Sequence, residues 1–297
     1  MHYTGTVWRP PFEFRSLLLQ VTTGCSHNGC SFCSMYRKTP FHVSPMEEVR
    51  ADLEEAARRF PETERVFLLS GDAFVLPAGR LLEIAEEAHK ALPKLKTISC
   101  YASVQNVKNK TVRELKALRA AGISEPNFGI ETGLPSLLKD MNKGFTVEEA
   151  REQLGKLREA GMDFSVNLIL GARGAAPDTN PGEDMPEGNA SADAWIREKA
   201  AADAALMNEL LPSLIFVTTL HHAPGSPLHE AVRKGQFRKC EKEDILREEI
   251  LLLEMLELKN CIFLGIHTSD PVPVAGMLPL DRDAMISKLR DAMPALS

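Results

Sequence analysis

The sequence predicts an α/β fold, a partial (β/α)6 barrel of the TIM type with a short C-terminal α/β extension. Three observations predict it. Apolar runs of strand length alternate with amphipathic helical runs six times between Leu17 and Leu220, and such alternation implies parallel strands joined by right-handed crossovers. A loop with three cysteines follows the first of these runs, at the strand end where parallel α/β folds place their chemistry. The length, 297 residues, allows one large domain or two small ones and is enough to bury about three quarters of the unfolded surface. An open doubly wound sheet shares the same alternation.

In order, Leu17–Thr22 is a first strand and Pro45–Phe60 a helix rich in Glu, Ala and Arg. Val66–Leu69 is a second strand ending at Ser70-Gly71-Asp72, with its helix at Leu81–Ala91. Thr97–Ser103 is a third strand, followed by a helix over Lys110–Ala121 that Gly122 stops. Pro126–Glu131 is a fourth strand, with helices at Pro135–Met141 and Val147–Ala160, and Phe164–Leu170 is a fifth. Gly171–Ala190 is so dense in Gly, Pro, Asp and Asn that it reads as a loop, a lid or an insertion. A long helix over Ala192–Leu210 and a sixth strand at Leu214–Leu220 complete a core barrel of residues 1–220. Residues 221–297 read as the extension that closes the barrel and shapes a pocket. They hold helices at Glu243–Leu258 and Asp281–Met293 and a short strand at Ile262–His267.

Composition narrows the function classes. At 44% hydrophobic and 26% charged the chain is ordinary for a globular protein. Its 41 acidic and 35 basic residues give a formal charge of -6, which argues against a general nucleic-acid grip. No apolar run approaches the roughly 20 residues of a membrane span, and the N-terminus shows no signal-peptide pattern. A cytoplasmic protein is expected, in which clustered thiols stay reduced and serve as ligands or catalysts rather than bridges.

Cys25, Cys30 and Cys33 lie within nine residues on a loop with glycines at 24 and 29, so their thiols can converge. Zinc would need a fourth ligand, which His27 could supply only if one short loop closed a whole tetrahedron. An iron-sulfur cluster is also held by cysteine thiolates, and three of them leave one iron of a four-iron cluster open. Spacing and position favour the cluster over zinc. Cys100, Cys240 and Cys261 each stand alone among apolar neighbours and read as core residues.

The three-cysteine loop, with Phe32 just before its last cysteine, resembles that of the radical S-adenosylmethionine superfamily, with four residues rather than three in its first gap. Ser70-Gly71-Asp72-Ala73-Phe74, Gly129-Ile130-Glu131-Thr132-Gly133, Met141-Asn142-Lys143-Gly144 and Asn167-Leu168-Ile169-Leu170-Gly171 fall where that superfamily has its further motifs. The set resembles the branch with oxygen-independent coproporphyrinogen oxidase and elongator-type enzymes. The resemblance implies a 4Fe-4S cluster on Cys25, Cys30 and Cys33, with S-adenosylmethionine chelating the open iron and reduced to methionine and a 5'-deoxyadenosyl radical. It places Ser70, Gly71 and Asp72 against the ligand, Gly71 allowing close backbone approach and Asp72 at the amino group, Lys143 at its carboxylate and Glu131 and Asn167 at its ribose. Phe32 would lie on the adenine, and Ser103 near ligand or substrate.

On the substrate side, His221 and His222 follow the sixth strand, His267 follows the short C-terminal strand and Tyr36 follows the cluster loop. His222, His267 and Tyr36 are the candidate catalytic residues. The implied partners are a small-molecule substrate and an electron donor such as flavodoxin or ferredoxin, in anaerobic or strongly reducing surroundings. A non-catalytic iron-sulfur or zinc protein, acting as carrier or in electron transfer, is the alternative.

Overall fold

The computed structural model describes residues 1–175 and 189–293. Along the chain, β1 (Leu17–Gln20) leads into a small ribbon of β2 (Thr22–Thr23) and β3 (His42–Val43), then α1 (Met46–Arg59), β4 (Arg65–Leu69) and α2 (Ala78–Ala91). Next come β5 (Thr97–Ala102), α3 (Val104–Lys108), α4 (Val112–Ala120), β6 (Asn127–Glu131), α5 (Pro135–Asp140), α6 (Val147–Glu159) and β7 (Ser165–Leu170). The rest is α7 (Asn189–Leu210), β8 (Leu214–Thr219), α8 (Pro227–Arg233), α9 (Lys242–Met255), β9 (Cys261–Gly265), β10 (Val274–Leu278) and α10 (Arg282–Ala292).

The α/β class holds, with eight strands in a mostly parallel sheet. Two compact units divide the chain, Met1–Gly129 with Glu148–Ser165, and Ile130–Val147 with Val166–Ser297. In the first, the strand order runs β1-β4-β5-β6 and the pairs are parallel. In the second it runs β7-β8-β9-β10, β8 parallel to β9 and β10 antiparallel to β9.

The helices follow local rules. α4 starts on a capping box in which Thr111 and Glu114 serve each other's backbone N–H groups. Pro135 and Pro227 stand in the first turns of α5 and α8, where a missing N–H does no harm. In the first unit, Phe74, Phe128 and Phe164 pack edge to face in a buried chain.

Several elements differ from expectation. The first strand stops at Gln20, because Thr22 and Thr23 turn to pair with Val43 and His42. Ser103 does not end a strand; it caps α3, its N–H donating to Asn106 Oδ1 at 2.7 Å. Helix α8 and strand β10 were not anticipated. The latter lies between Pro273 and Pro279, which punctuate the sequence as a loop would. Cys100 and Cys261 are core residues, whereas Cys240 is half-buried, its thiol donating to the Gly171 carbonyl at 3.9 Å. Most of the expected Gly171–Ala190 loop, residues 176–188, lies outside the described residues, and α7 begins at Asn189.

Candidate functional site

In the first unit the chain leaves β2 through Gly24, held at φ +70° with the Thr39 and Pro40 carbonyls pressed against it. A side chain there would collide, so the glycine lets the cysteine loop leave the ribbon. All six cysteines are unbridged, and Cys25, Cys30 and Cys33 are half-exposed. Three anchors hold their loop. Asp72 accepts from the Ser26 N–H at 2.9 Å, from the Ser26 hydroxyl, and from Asn106 Nδ2 at 3.3 Å. Arg37 donates through Nε to the Cys33 carbonyl at 2.8 Å and through Nη2 to the Cys30 carbonyl at 2.7 Å. Asn28, in the left-handed region at φ +42°, donates its amide to the Tyr36 carbonyl at 2.9 Å. Asn is one of the few side chains suited to that conformation.

The Ser70-Gly71-Asp72 turn after β4 supports the loop. Gly71 N–H donates to the Gly24 carbonyl at 3.0 Å, and Ser70 donates its hydroxyl to the Thr22 carbonyl at 3.1 Å. A Cβ on Gly71 would lie 2.6 Å from Cys25 Cβ and 3.0 Å from Tyr36 Cε2. Gly71 therefore gives way to the cysteine loop itself, where close approach of a ligand was expected. Asp72 likewise turns its carboxylate to the loop and to Asn106. Sequence reasoning missed Lys110, which is buried and donates to the carbonyls of Phe74 at 2.7 Å and Asn106 at 3.1 Å. It ties the turn after Asp72 to α3, and burial pulls its pKa down to about 8.

The donor chemistry fits an iron-sulfur cluster. Three unbridged thiols share one anchored loop, and beside them sits an orphaned polar atom, the buried Tyr36 hydroxyl, which has no hydrogen-bond partner among the described residues. Burial, reinforced by Cys25 and Cys33, pushes the pKa of that phenol up. Burial likewise raises Cys25, with the Asp72 carboxylate adding to it. Among the described residues no group of three His, Cys, Asp or Glu side chains is drawn together as a ready-made metal site. Phe32 sits half-buried between Ser31 and Cys33.

In the second unit the structure joins three residues that the sequence singled out. Glu131, 6% exposed and at φ +71°, accepts from Lys143 Nζ at 2.8 Å on one carboxylate oxygen and from Asn167 Nδ2 at 2.7 Å on the other. Asn142 and Gly144, both at positive φ, shape the turn that presents Lys143. A carboxylate offers about four lone-pair sites, so Glu131 keeps acceptor capacity beyond these two bonds.

The second unit also holds a buried charge network that the sequence did not disclose. Lys199 donates to Asp203 and Glu248, both at 2.7 Å, and all three side chains are 4% exposed or less. Asp203 also takes the Thr132 hydroxyl at 2.7 Å and Gly133 N–H at 2.6 Å, and Glu248 takes Gly171 N–H at 3.0 Å. The i, i+4 spacing of Lys199 and Asp203 in α7 was the available signal. Next to it Glu249 is fully buried, and neither carboxyl oxygen has a partner among the described residues. Burial, with Asp270 and Glu248 nearby, raises its pKa well above the ordinary value.

The candidate histidines lie in two separate settings. His222 stacks on His229 with centroids 5.8 Å apart and lies 6.0 Å from His221. Burial, then Lys239 and the other two histidines, lowers its pKa. His267 packs edge-on to Phe216, and its Nδ1 meets Ser269 Oγ at 2.7 Å. Asp270 fixes this turn by accepting from His267 N–H at 2.9 Å and Thr219 N–H at 2.8 Å.

A model of the Radical SAM superfamily matches residues 19–178, more than half of the chain. The heme chaperone HemW of Bacillus subtilis (strain 168) is 23% identical over 157 residues, covering 50% of this chain and 41% of that protein. Methylornithine synthase superposes with a TM-score of 0.54 at 16% identity, over 84% of this chain and 63% of its own. Coproporphyrinogen III oxidase of Escherichia coli, a radical SAM enzyme, gives 0.53 at 17% identity, over 80% and 52%. The radical S-adenosylmethionine methyltransferase TsrM of Kitasatospora setae, solved with cobalamin and a 4Fe-4S cluster, gives 0.54 at 18% identity, over 74% and 39%. These structural likenesses are likenesses of fold, and the chain spans less than two thirds of the length of each of these proteins. No helix among the described residues is long and apolar enough to cross a membrane.

Proposed function

This chain belongs to the radical SAM superfamily, whose structures hold a 4Fe-4S cluster and S-adenosylmethionine, and from that premise we propose that it is an enzyme. It carries the cluster on Cys25, Cys30 and Cys33, cleaves S-adenosylmethionine reductively and turns the product radical on a small-molecule substrate by hydrogen abstraction. The observation that carries this reading is the anchored cysteine loop: unbridged thiols whose backbone is fixed by Asp72, Arg37 and Asn28. When bound, the cluster supplies the electron that breaks a carbon-sulfur bond.

The protein's own residues bind and orient. Glu131, already polarised by Lys143 and Asn167, offers its remaining lone pairs to ribose hydroxyls, and two good acceptors for two hydroxyls offset the burial of its charge. Phe32 offers a ring face to adenine, with Ser70 in the turn after β4 and Ser103 at the cap of α3. Residues 221–297 bring His267, its ring oriented by Ser269, and His222 to the substrate side. An electron donor such as flavodoxin or ferredoxin and a reducing, cytoplasmic setting complete the reading.

The test is anaerobic. Protein reconstituted with iron and sulfide is given S-adenosylmethionine and dithionite, and 5'-deoxyadenosine is sought by mass-resolved chromatography. Slow formation that disappears in Cys30→Ala is the expected result. A fully loaded protein that binds S-adenosylmethionine and yields none, with or without candidate substrates, would overturn it. One observation favours a second reading, a non-catalytic carrier, because a matching relative is a heme chaperone. Stoichiometric hemin binding by such an inactive protein would support that reading.

A further inference from the structure

The aromatic side chain beside the cysteine loop that the proposed chemistry leaves without a task is Tyr36. It is 6% exposed, and its hydroxyl has no hydrogen-bond partner among the described residues. A buried hydroxyl left unpaired carries a desolvation penalty, so the position points to an acceptor that arrives with a ligand. The ring cannot easily turn away. Its own carbonyl is fastened by Asn28 Nδ2 and by Thr39 N–H, both at 2.9 Å, and its edge shares with Cys25 the space over Gly71.

The neighbours of the phenol are Cys25, Cys33, Ser70 and Asp72. Ser70 spends its proton on the Thr22 carbonyl, which leaves its oxygen as a competing acceptor beside the phenol, and Asp72 holds Ser26 and Asn106. A cluster would add sulfur to these neighbours. We infer that the Tyr36 hydroxyl donates a hydrogen bond to sulfur of the cluster that the loop holds, and so sets the reduction potential of the site instead of serving the substrate. This inference rests on the proposed function, since it requires the cluster.

Hydrogen bonds to cluster sulfurs are among the levers that tune such potentials. A donor favours the reduced cluster, which carries one more negative charge, over the oxidised one. Tyr36→Phe keeps the ring and deletes only the donor. The expected result is unchanged iron and sulfide content and a lower midpoint potential. A tenfold loss in the one-electron equilibrium constant corresponds to about 59 mV.

The experiment is a spectroelectrochemical titration of the reconstituted protein and its Tyr36→Phe variant, without S-adenosylmethionine or substrate. A fully loaded variant with an unchanged potential would overturn the inference. So would a variant that keeps its thermal transition but loses the cluster, because the hydroxyl would then be holding the loop. Ser70→Ala is the second variant: if it reproduces the shift, Ser70 is the acceptor and the cluster is not. Failure of the wild-type protein to take up iron and sulfide would instead count against the proposed function, so the two failures are distinguishable.

Discussion

Replacing Gly71 by alanine places a methyl group 2.6 Å from Cys25 Cβ, 3.0 Å from Tyr36 Cε2 and 3.1 Å from Cys25 Cα. Non-bonded carbons rest at about 3.5–4.0 Å, so something must move by about 1 Å. Little around it yields readily. Cys25 is followed by Ser26, which Asp72 holds by two bonds, and Gly71 N–H is tied to the Gly24 carbonyl. Overpacking of this kind costs about 1–3 kcal/mol, well within the about 5–15 kcal/mol that stabilises a folded domain. At about 2–4 °C per kcal/mol, Gly71→Ala should melt some 2–12 °C below wild type in one cooperative transition. Its metal chemistry should suffer far more. Ligand distances at metal sites tolerate about 0.2 Å, and a 1 Å displacement of Cys25 relative to Cys30 and Cys33 exceeds that several times. The assay is iron and sulfide content after anaerobic reconstitution, with the thermal transition alongside. Gly79→Ala is the control, since Gly79 lies in α2 with open space at its Cβ; it should load fully and gain up to about 1 kcal/mol. A Gly71→Ala protein with a full cluster and wild-type spectrum would refute the reasoning.

Ser26→Ala and Asp72→Asn remove the same anchor from its two ends. Each should weaken cobalt(II) binding by the apo protein, read from the thiolate charge-transfer band, and the double variant should be no weaker than either single one; additive losses would place Asp72 at some other task. Lys199→Met leaves Asp203 and Glu248 buried without their cation, and breaking a buried pair in this way costs about 3–5 kcal/mol. Urea unfolding should show that loss, and a change under 1 kcal/mol would contradict the burial. Stability should also depend on pH from both sides. The folded pKa of Glu249 is raised by burial, so its contribution is complete below the unfolded carboxylate range and is lost as pH rises through the folded value. Burial of Glu13 opposes ionisation, but bonds from Arg65, Ser16 and Ser99 prevail and lower its pKa. Its contribution is present above the unfolded value and is lost as pH falls through the folded one. Glu249→Gln should therefore melt above wild type at pH 8 and alongside it at about pH 4, below the unfolded carboxylate value; parallel melting profiles would show that Glu249 is not held protonated.

What was legible in the sequence is what local pattern encodes. Strand and helix periods placed the strands of the sheet and most of the helices as far as β8 to within a few residues, though not β3 or α3, and the spacing of Cys25, Cys30 and Cys33 singled out the loop that the structure anchors. Glu131, Lys143 and Asn167 were visible as polar interruptions in motifs of a known order, and the structure bonds them together. Other features were hidden because they are properties of distant pairs. Nothing near Asp72 announces that Ser26, 46 residues earlier, will occupy its carboxylate. Lys110 and Lys199 read as ordinary helical lysines until packing buries them. Strand β10 was concealed by its own boundaries, since Pro273 and Pro279 mimic the punctuation of a loop while leaving Val274–Leu278 free to pair with β9.

The bonds of Asp72 to Ser26 bear on how the longer first gap in the cysteine loop is understood. An extra residue between Cys25 and Cys30 adds backbone freedom, and each freely rotating residue costs about 1–2 kcal/mol to order. If that cost fell on metal binding, affinity would drop by about tenfold for each 1.4 kcal/mol. The fold meets it beforehand. Ser26 is fixed by Asp72, Asn28 is held in a left-handed turn by its bond to the Tyr36 carbonyl, and Arg37 fastens the Cys30 and Cys33 carbonyls. Four intervening residues therefore behave as a stiff segment, and the departure in spacing is compensated by partners from the second strand turn and from the residues just after Cys33. The same logic explains why Gly71 admits no side chain: the turn that carries Asp72 must approach Cys25 closely enough for Asp72 to reach Ser26, and a single methyl group would hold them apart.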